Sequence, residues 1–148
     1  MPESRDVRRL RRGYEAFNRG DLDTVLRSVS PDVEIRDREE IPDPGVYRGL
    51  KAAREVLVRN TAEFEGYRIE PEEFIEAGEH IVVVARQSGR GRTSGAEVAG
   101  TIVHSWHVRD GRVLGMRAFS AREQALAALG ASGHDAGRPS PGAGCTAS

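Results

Sequence analysis

The chain has 148 residues, which is enough for one hydrophobic core but too few for two ordinary domains. Hydrophobic residues make up 38% and charged residues 30%, and the net charge of −1 gives no long-range attraction to nucleic acid or to an anionic membrane. A single cysteine, Cys145, argues against a disulfide framework and a thiolate metal site. No apolar run reaches membrane-spanning length and none follows the arginine-rich start as in a signal peptide, so we expect a cytoplasmic protein without a membrane partner.

The first half of the chain predicts three helices and one short strand. Ser4 is a plausible N-cap for the first helix, whose apolar residues recur at the spacing of one face: Val7, Leu10, Tyr14 and Phe17. Asp21 caps a second short helix that Pro31 ends. Residues 33–37 alternate as a strand, 38–48 form a loop with two prolines and a glycine, and a third helix covers 50–64.

Four arginines cluster on the first predicted helix: Arg8, Arg9, Arg11 and Arg12. The cluster is either a solvated helix face, which we favour, or a patch that binds nucleic acid. No aromatic or glycine-rich binding element accompanies it, so we predict no nucleic-acid partner.

From residue 67 onward the pattern changes to strands, at 67–77, 80–88, 97–108 and 112–119. Ser120 and Glu123 fit a capping box that opens a last helix, and Gly130 ends it. We therefore predict one domain over residues 4–130, followed by a disordered tail over 131–148, which lacks periodicity. Helices followed by strands predict an α+β fold with helices packed on one face of a curved sheet.

The last two strands form a predicted hairpin whose register decides which residues share a face. A two-residue turn at 110–111 places His104 opposite Arg117, whereas a three-residue loop at 109–111 places His104 opposite Met116. Burial favours the three-residue loop, because it gathers the apolar residues on one face: Ile102, Trp106, Leu114, Met116 and Ala118.

This order of elements resembles the nuclear transport factor 2-like superfamily, and within it the SnoaL-like and ketosteroid isomerase-like proteins. The resemblance covers residues 7–129 and is clearest at residues 18–23, 48–49 and 116–118. It implies a cone-shaped α+β barrel, in which a strongly curved, mostly antiparallel sheet wraps around N-terminal helices and encloses one pocket. The polar side chains in such a pocket decide the function.

The resemblance also implies candidate catalytic residues. In ketosteroid isomerase-like proteins a carboxylate at the end of the first strand abstracts a proton next to a carbonyl, and Asp37 matches it. An acidic group on the penultimate strand donates a hydrogen bond to the developing oxyanion, and His104 matches it. The tyrosine donor of the first helix matches Gly13, which speaks against steroid isomerisation itself, but the hydroxyl of the neighbouring Tyr14 could substitute.

The residues themselves leave alternatives open. Asp37 lies at a cavity mouth, is exposed in a loop or caps a helix. His104, on an apolar strand face, is either a donor or a satisfied core histidine. Trp106 is either a pocket wall or ordinary core, and Arg86 reaches either solvent or an anionic ligand group. The further substrate-binding candidates are Tyr14, Phe17, Val56, Val84, Arg86, Trp106 and Met116.

The predicted ligand is a small apolar or aromatic, cyclic organic molecule. If the protein is an enzyme, we expect cofactor-free isomerisation, aldol cyclisation or dehydration of a polyketide-like carbonyl compound, with Asp37 as base and His104 as acid or oxyanion donor. The alternative is a ligand-binding or dimerisation module without turnover. No metal-ligand spacing and no phosphate loop occur, so neither metal nor cofactor is predicted. We expect a homodimer through an outer sheet face bearing Thr101, Val103, His107 and Val113.

Overall fold

The computed structural model describes residues 3–137, and the elements in this range follow the predicted order of helices and strands. None of the described helices is long and apolar enough to span a membrane. In chain order the elements are α1 (Arg5–Asn18), α2 (Leu22–Arg27), β1 (Val29–Arg36), β2 (Val46–Arg48), α3 (Leu50–Ala62), β3 (Phe64–Ala77), β4 (His80–Gly91), β5 (Glu97–Arg109), β6 (Arg112–Phe119) and α4 (Arg122–Gly137).

The six strands form one sheet in the order β2-β1-β6-β5-β4-β3. β1 and β6 run parallel, and every other neighbouring pair is antiparallel. Bulges interrupt the pairing of β3 with β4 and of β5 with β6, and bulges bend and twist a sheet. The sheet is curved and unclosed, with the N-terminal helices against its concave face, which confirms the predicted α+β fold.

The two faces of the sheet are buried in two separate cores. On the concave face, alternate residues of β4 pack with the apolar stripe of α1 and with residues of α3. On the convex face, Val82 and Val103 pack with Phe119 and with Ala125 of α4. Burial of both faces explains why β4 is a continuous apolar run rather than an alternating one.

Local signals in the sequence set the ends of the first two helices. The Ser4 hydroxyl accepts a hydrogen bond from the Val7 N–H at 3.1 Å, and the Asp21 carboxylate accepts one from the Thr24 N–H at 3.2 Å. These are the predicted N-caps. The Asn18 side chain then fixes the end of α1 to β3, since its amide both donates to and accepts from the backbone of Ile69 at 2.9 Å.

The largest differences from the predicted boundaries concern three segments. Pro31 does not end α2, which stops at Arg27, but lies within β1. Residues 46–48 of the predicted loop form β2, an edge strand too short to show periodicity. α4 passes the predicted stop at Gly130 and runs to Gly137, and the remainder of the predicted tail, 138–148, lies outside the described residues.

The capping of α4 also differs by one position. The Gln124 side chain accepts hydrogen bonds from the backbone N–H groups of Ser120 and Ala121, at 3.0 and 3.1 Å. Gln124, rather than Glu123, therefore holds the start of this helix, because the helix begins at Arg122.

The hairpin between β5 and β6 turns at two residues, so the predicted three-residue loop is wrong. Asp110 and Gly111 both have positive φ, 53° and 78°, and lie between the paired residues Arg109 and Arg112. Aspartate and glycine are the residues that tolerate the two left-handed positions of this turn type.

A bulge next to Val108 then sets a register that neither alternative predicted. Beyond it, Trp106 lies opposite Met116 and His104 opposite Ala118. The bulge places Trp106 and Met116 on the concave face together with Val108 and Val113. Burial thus decided the faces, as expected, but through a bulge rather than through a longer loop.

The predicted dimerisation surface requires an exposed convex face of the sheet, which the structure does not provide. Val103 is 0% exposed beneath α4, and Val113 lines the concave side of the sheet. The predicted dimerisation surface is therefore wrong as a continuous face, because the last helix covers its centre.

Candidate functional site

A cavity of about 440 Å³ lies between the N-terminal helices and the concave face of the sheet. This volume falls within the usual range of small-molecule sites. The structure places six of the sequence-predicted site residues in its wall: Tyr14, Phe17, Val56, His104, Trp106 and Met116. Most of the wall is apolar, and the added apolar residues include Leu10, Val25, Val33, Ile35, Leu57, Ile69 and Val108.

Three polar side chains form a hydrogen-bonded chain in this wall. Tyr14 Oη lies 2.7 Å from His104 Nδ1, and Trp106 Nε1 donates to Tyr14 Oη at 3.0 Å. Tyr14 is 5% exposed and His104 is 6% exposed. The Tyr14 and His104 rings are stacked with their centroids 5.8 Å apart, and Trp106 meets both rings edge-on.

The pattern of donors and acceptors favours one arrangement of the protons. The indole nitrogen of Trp106 only donates, so it occupies a lone pair of Tyr14 Oη. His104 Nδ1 is the other polar atom of the described residues in reach of that hydroxyl, and we infer that Tyr14 donates its own proton there, because this arrangement uses the Tyr14 proton as well as its lone pair. A neutral imidazole that accepts at Nδ1 carries its proton on Nε2.

Burial keeps both groups uncharged at neutral pH. It lowers the pKa of His104 to about 4, with a smaller contribution from the positive charge of Arg38. Burial also raises the pKa of Tyr14 far above its ordinary value, and the hydrogen bond from Trp106 has a smaller, opposite effect. The three hydrogen-bonded side chains therefore form a neutral relay that runs from Trp106 through Tyr14 and ends at His104.

The end of this relay is open. In the part of the chain that the structure describes, His104 Nε2 makes no hydrogen bond. The one described side-chain polar atom that is both fully buried and without a partner is Arg117 Nε, so His104 Nε2 is not fully buried. Since His104 lines the cavity, Nε2–H is an uncommitted donor available to a molecule inside it.

Asp37 does not join His104 in the cavity wall. Its carboxylate accepts hydrogen bonds from the Gly45 N–H and the Tyr47 hydroxyl, both at 3.0 Å, and its own N–H donates to the Gly45 carbonyl. The end of β1 is thus a junction that closes the segment 37–47. The predicted pairing of Asp37 as base with His104 as donor on one substrate does not agree with these positions, because the cavity wall includes His104 and not Asp37.

Val84 and Arg86 also lie elsewhere. Val84 packs with the convex core under α4, and Arg86 is exposed on the same side of β4. The concave side of this strand is formed instead by Ile81, Val83 and Ala85. The prediction chose the wrong face because both faces of β4 are apolar.

Asn60 is a lining residue that sequence reasoning missed. It lies on the cavity face of α3 together with Ala53, Val56 and Leu57, at the spacing of one helical stripe. Its side chain has no hydrogen-bond partner among the described residues. A lone amide on an otherwise apolar stripe was the signal that could have found it.

The opening of the cavity is basic. Among its lining residues only Arg12 and Arg27 are exposed, so they mark where it meets solvent. Asp6 and Arg9 lie beside this opening, half-buried and 3.5 Å apart as an ion pair. The arginine cluster of α1 is therefore not only a solvated face, because two of its members line the cavity.

No group of three side chains suited to hold a metal ion occurs among those that the structure describes. The sequence profile of the SnoaL-like domain matches residues 10–116 of the chain. The chain belongs to the SnoaL-like family. This family lies within the NTF2-like superfamily, as its cone-shaped sheet and helices indicate. No curated protein matches the chain.

Several solved structures share the fold. An NTF2-like protein of unknown function from Burkholderia pseudomallei K96243 is 27% identical, with a TM-score of 0.69 over 84% of this chain and 97% of its own. TerC, co-crystallised with polyporic acid, is 27% identical, with a TM-score of 0.70 over 85% and 98%. IdmH, a proposed polyketide cyclase from Streptomyces antibioticus, is 24% identical, with a TM-score of 0.69 over 86% and 99%.

Proposed function

We propose that this SnoaL-like protein binds a small cyclic organic molecule with a carbonyl group and promotes its cofactor-free ring closure or tautomerisation. The observation that carries the proposal is the uncommitted His104 Nε2–H in a largely apolar cavity of about 440 Å³. A ring would pack against the apolar wall, and its carbonyl oxygen would accept the hydrogen bond from His104. The co-crystal of TerC with polyporic acid supports a cyclic ligand.

The role of His104 in this proposal is electrophilic. A neutral imidazole with its proton on Nε2 polarises a carbonyl and stabilises the negative charge that develops on its oxygen. Tyr14 would keep the proton of His104 on Nε2 by donating to Nδ1, and Trp106 positions the Tyr14 hydroxyl by donating to it. Because this relay is buried and already ordered, little reorganisation accompanies the charge development.

The absence of Asp37 from the wall narrows the substrates. The one carboxylate among the lining residues, Asp6, is paired with Arg9 beside the opening. A substrate that is already enolised, such as a β-dicarbonyl compound, needs no strong base: its enol carbon attacks the second carbonyl carbon, and the enol proton moves to the new alkoxide oxygen. His104 would hydrogen-bond that oxygen throughout. Simple ketones, which require proton abstraction, should be poor substrates.

Two isosteric ligands test the proposed contact. We would measure the dissociation constants of 2-acetylnaphthalene and 2-isopropenylnaphthalene by ligand-detected NMR titration, with wild type and with His104→Phe. The second ligand replaces the C=O by C=CH₂. We expect His104→Phe to weaken binding of the ketone about fivefold, in line with one hydrogen bond of about 1 kcal/mol, and to leave the hydrocarbon unchanged.

The two ligands also separate the possible failures. Equal weakening of both ligands would mean that His104 contributes packing rather than a hydrogen bond. Failure of both ligands to bind wild type would contradict a small-molecule site in this cavity. Arg86→Gln is the matched control, since Arg86 lies outside the cavity wall.

The same cavity also favours a second function, ligand binding without turnover. The observation behind it is that the deep wall holds donors but no carboxylate. Incubation with an enolised triketone distinguishes the two functions. Ring closure gives an isomer of the same mass, so the product analysis must separate isomers. Binding with no rate above buffer would select the binding module, whereas cyclisation that His104→Phe slows would select the enzyme.

A further inference from the structure

The positive charge at the cavity opening bears on the charge of the ligand. The deep, inner wall of the cavity, which is uncharged, does not determine this property. The deep wall offers neutral donors and apolar surface, whereas the opening is formed by two exposed arginines, Arg12 of α1 and Arg27 of α2. Because the net charge of the chain is −1, the two arginines at the opening do not reflect a general excess of positive charge. The asymmetry is therefore local to the opening.

Both arginines lack the carboxylate partners that many other arginines of this surface have. Arg54, Arg109 and Arg122, for example, pair with Asp23, Glu79 and Glu73. Neither Arg12 nor Arg27 makes an ion pair or a side-chain hydrogen bond with any residue that the structure describes. The acid in the cavity wall, Asp6, is paired with Arg9. Asp21, whose pKa is lowered mainly by its hydrogen bonds from Thr24 and in part by the charge of Arg27, is paired with Arg19.

We propose that Arg12 and Arg27 are specificity-determining residues that select ligands with a carboxylate, held at the opening while the ring lies inside. The inference rests on the proposed function, because it assumes a ring in the cavity. Guanidinium groups bind carboxylates through parallel N–H···O bonds, and two of them on different helices would hold a carboxylate from two sides. A positive opening also attracts anionic ligands before they enter.

The proposal predicts a preference for an acid over its ester. The probes are 2-naphthylacetic acid, which is ionised at pH 7, and its methyl ester, which carries the same ring without charge. We expect the wild type to bind the acid more tightly. Arg12→Gln and Arg27→Gln should each weaken acid binding about two- to fivefold, the range of partly exposed ion pairs, and leave the ester unchanged.

Arg86→Gln is the control, because it removes the same charge from an exposed arginine outside the wall. The acid preference should also shrink as salt is raised, since exposed charges are screened, whereas ester binding should not. Thermal melting of each variant checks that the fold is intact, which we expect because both side chains are exposed.

Each outcome has a definite meaning. If the acid and the ester bind wild type equally, or if Arg86→Gln reduces the preference as much as the opening variants do, the carboxylate proposal is overturned and the proposed function stands. If neither ligand binds wild type, the proposed function itself fails. Loss of the preference in Arg12→Gln and Arg27→Gln alone supports the proposal.

Discussion

Tyr14 and His104 are 90 positions apart in the chain, and the Tyr14 hydroxyl lies 2.7 Å from His104 Nδ1. The contact joins α1 to β5 across the concave face of the sheet, so the packing that forms the core also places the Tyr14 hydroxyl against His104 Nδ1. Trp106, two residues further along the same strand, donates to the same hydroxyl. The same hydroxyl group therefore links the packing of α1 on the sheet to the candidate site.

Replacing this hydroxyl should be costly. In Tyr14→Phe, Trp106 Nε1–H and His104 Nδ1 both lose their partner in a buried setting, so we expect the free energy of unfolding to fall by about 1–3 kcal/mol. Urea denaturation measures it. Tyr67→Phe is the matched control, because the Tyr67 hydroxyl donates to Gln87 at 2.8 Å and does not touch His104. Ketone binding should weaken in Tyr14→Phe and not in Tyr67→Phe; the same effect in both variants would contradict the relay.

Acid should destabilise the protein through His104. Its pKa is about 4 in the folded state against 6.5 as the ordinary value, so between these pH values the unfolded chain takes up a proton that the native histidine does not. Stability from this group is therefore complete above pH 6.5 and is lost as the pH falls towards 4, on the order of 3 kcal/mol. The difference in urea stability between wild type and His104→Gln isolates this contribution. A difference that stays constant with pH would show that burial does not depress the pKa of His104.

Asp37 should matter for stability rather than for the ligand. Asp37→Ala removes the acceptor for the Gly45 N–H and the Tyr47 hydroxyl, which we expect to cost about 1–2 kcal/mol. Asp37→Asn keeps an acceptor oxygen and should cost less. Ketone binding by either variant, measured by NMR titration at a temperature where it is folded, should match wild type. A selective loss of turnover in Asp37→Asn without loss of stability would instead restore Asp37 as a base.

The parts of the fold that rest on local periodicity could be predicted from the sequence. The α1 stripe and the caps at Ser4 and Asp21 involve residues within a few positions of one another, so neighbouring residue types decide them. The placement of Tyr14, Phe17 and Trp106 in one wall followed from the same periodicity together with the family resemblance.

The remaining features depend on tertiary packing. Ile81, Val82 and Val83 are all at most 3% exposed, so alternation along β4 could not indicate which face meets the cavity. The bulge that sets the hairpin register depends on how β6 fits between β5 and β1. The local sequence does not encode that fit. Asp37 was expected at the end of the first strand and lies there, but the segment that captures its carboxylate was read as a loop.

The central claim is that His104 is neutral, carries its proton on Nε2 and offers it to a ligand in the cavity. Long-range ¹H–¹⁵N NMR of the histidine side chains at pH 7 tests this directly, because the two ring nitrogens have different shifts when one is protonated and the other is not. The chain has four histidines, and His104→Gln assigns the relevant signal. We expect the neutral Nε2–H tautomer in the free protein and a shift of that nitrogen when 2-acetylnaphthalene is added. A protonated ring, a proton on Nδ1, or an Nε2 signal unaffected by the ketone would contradict the account.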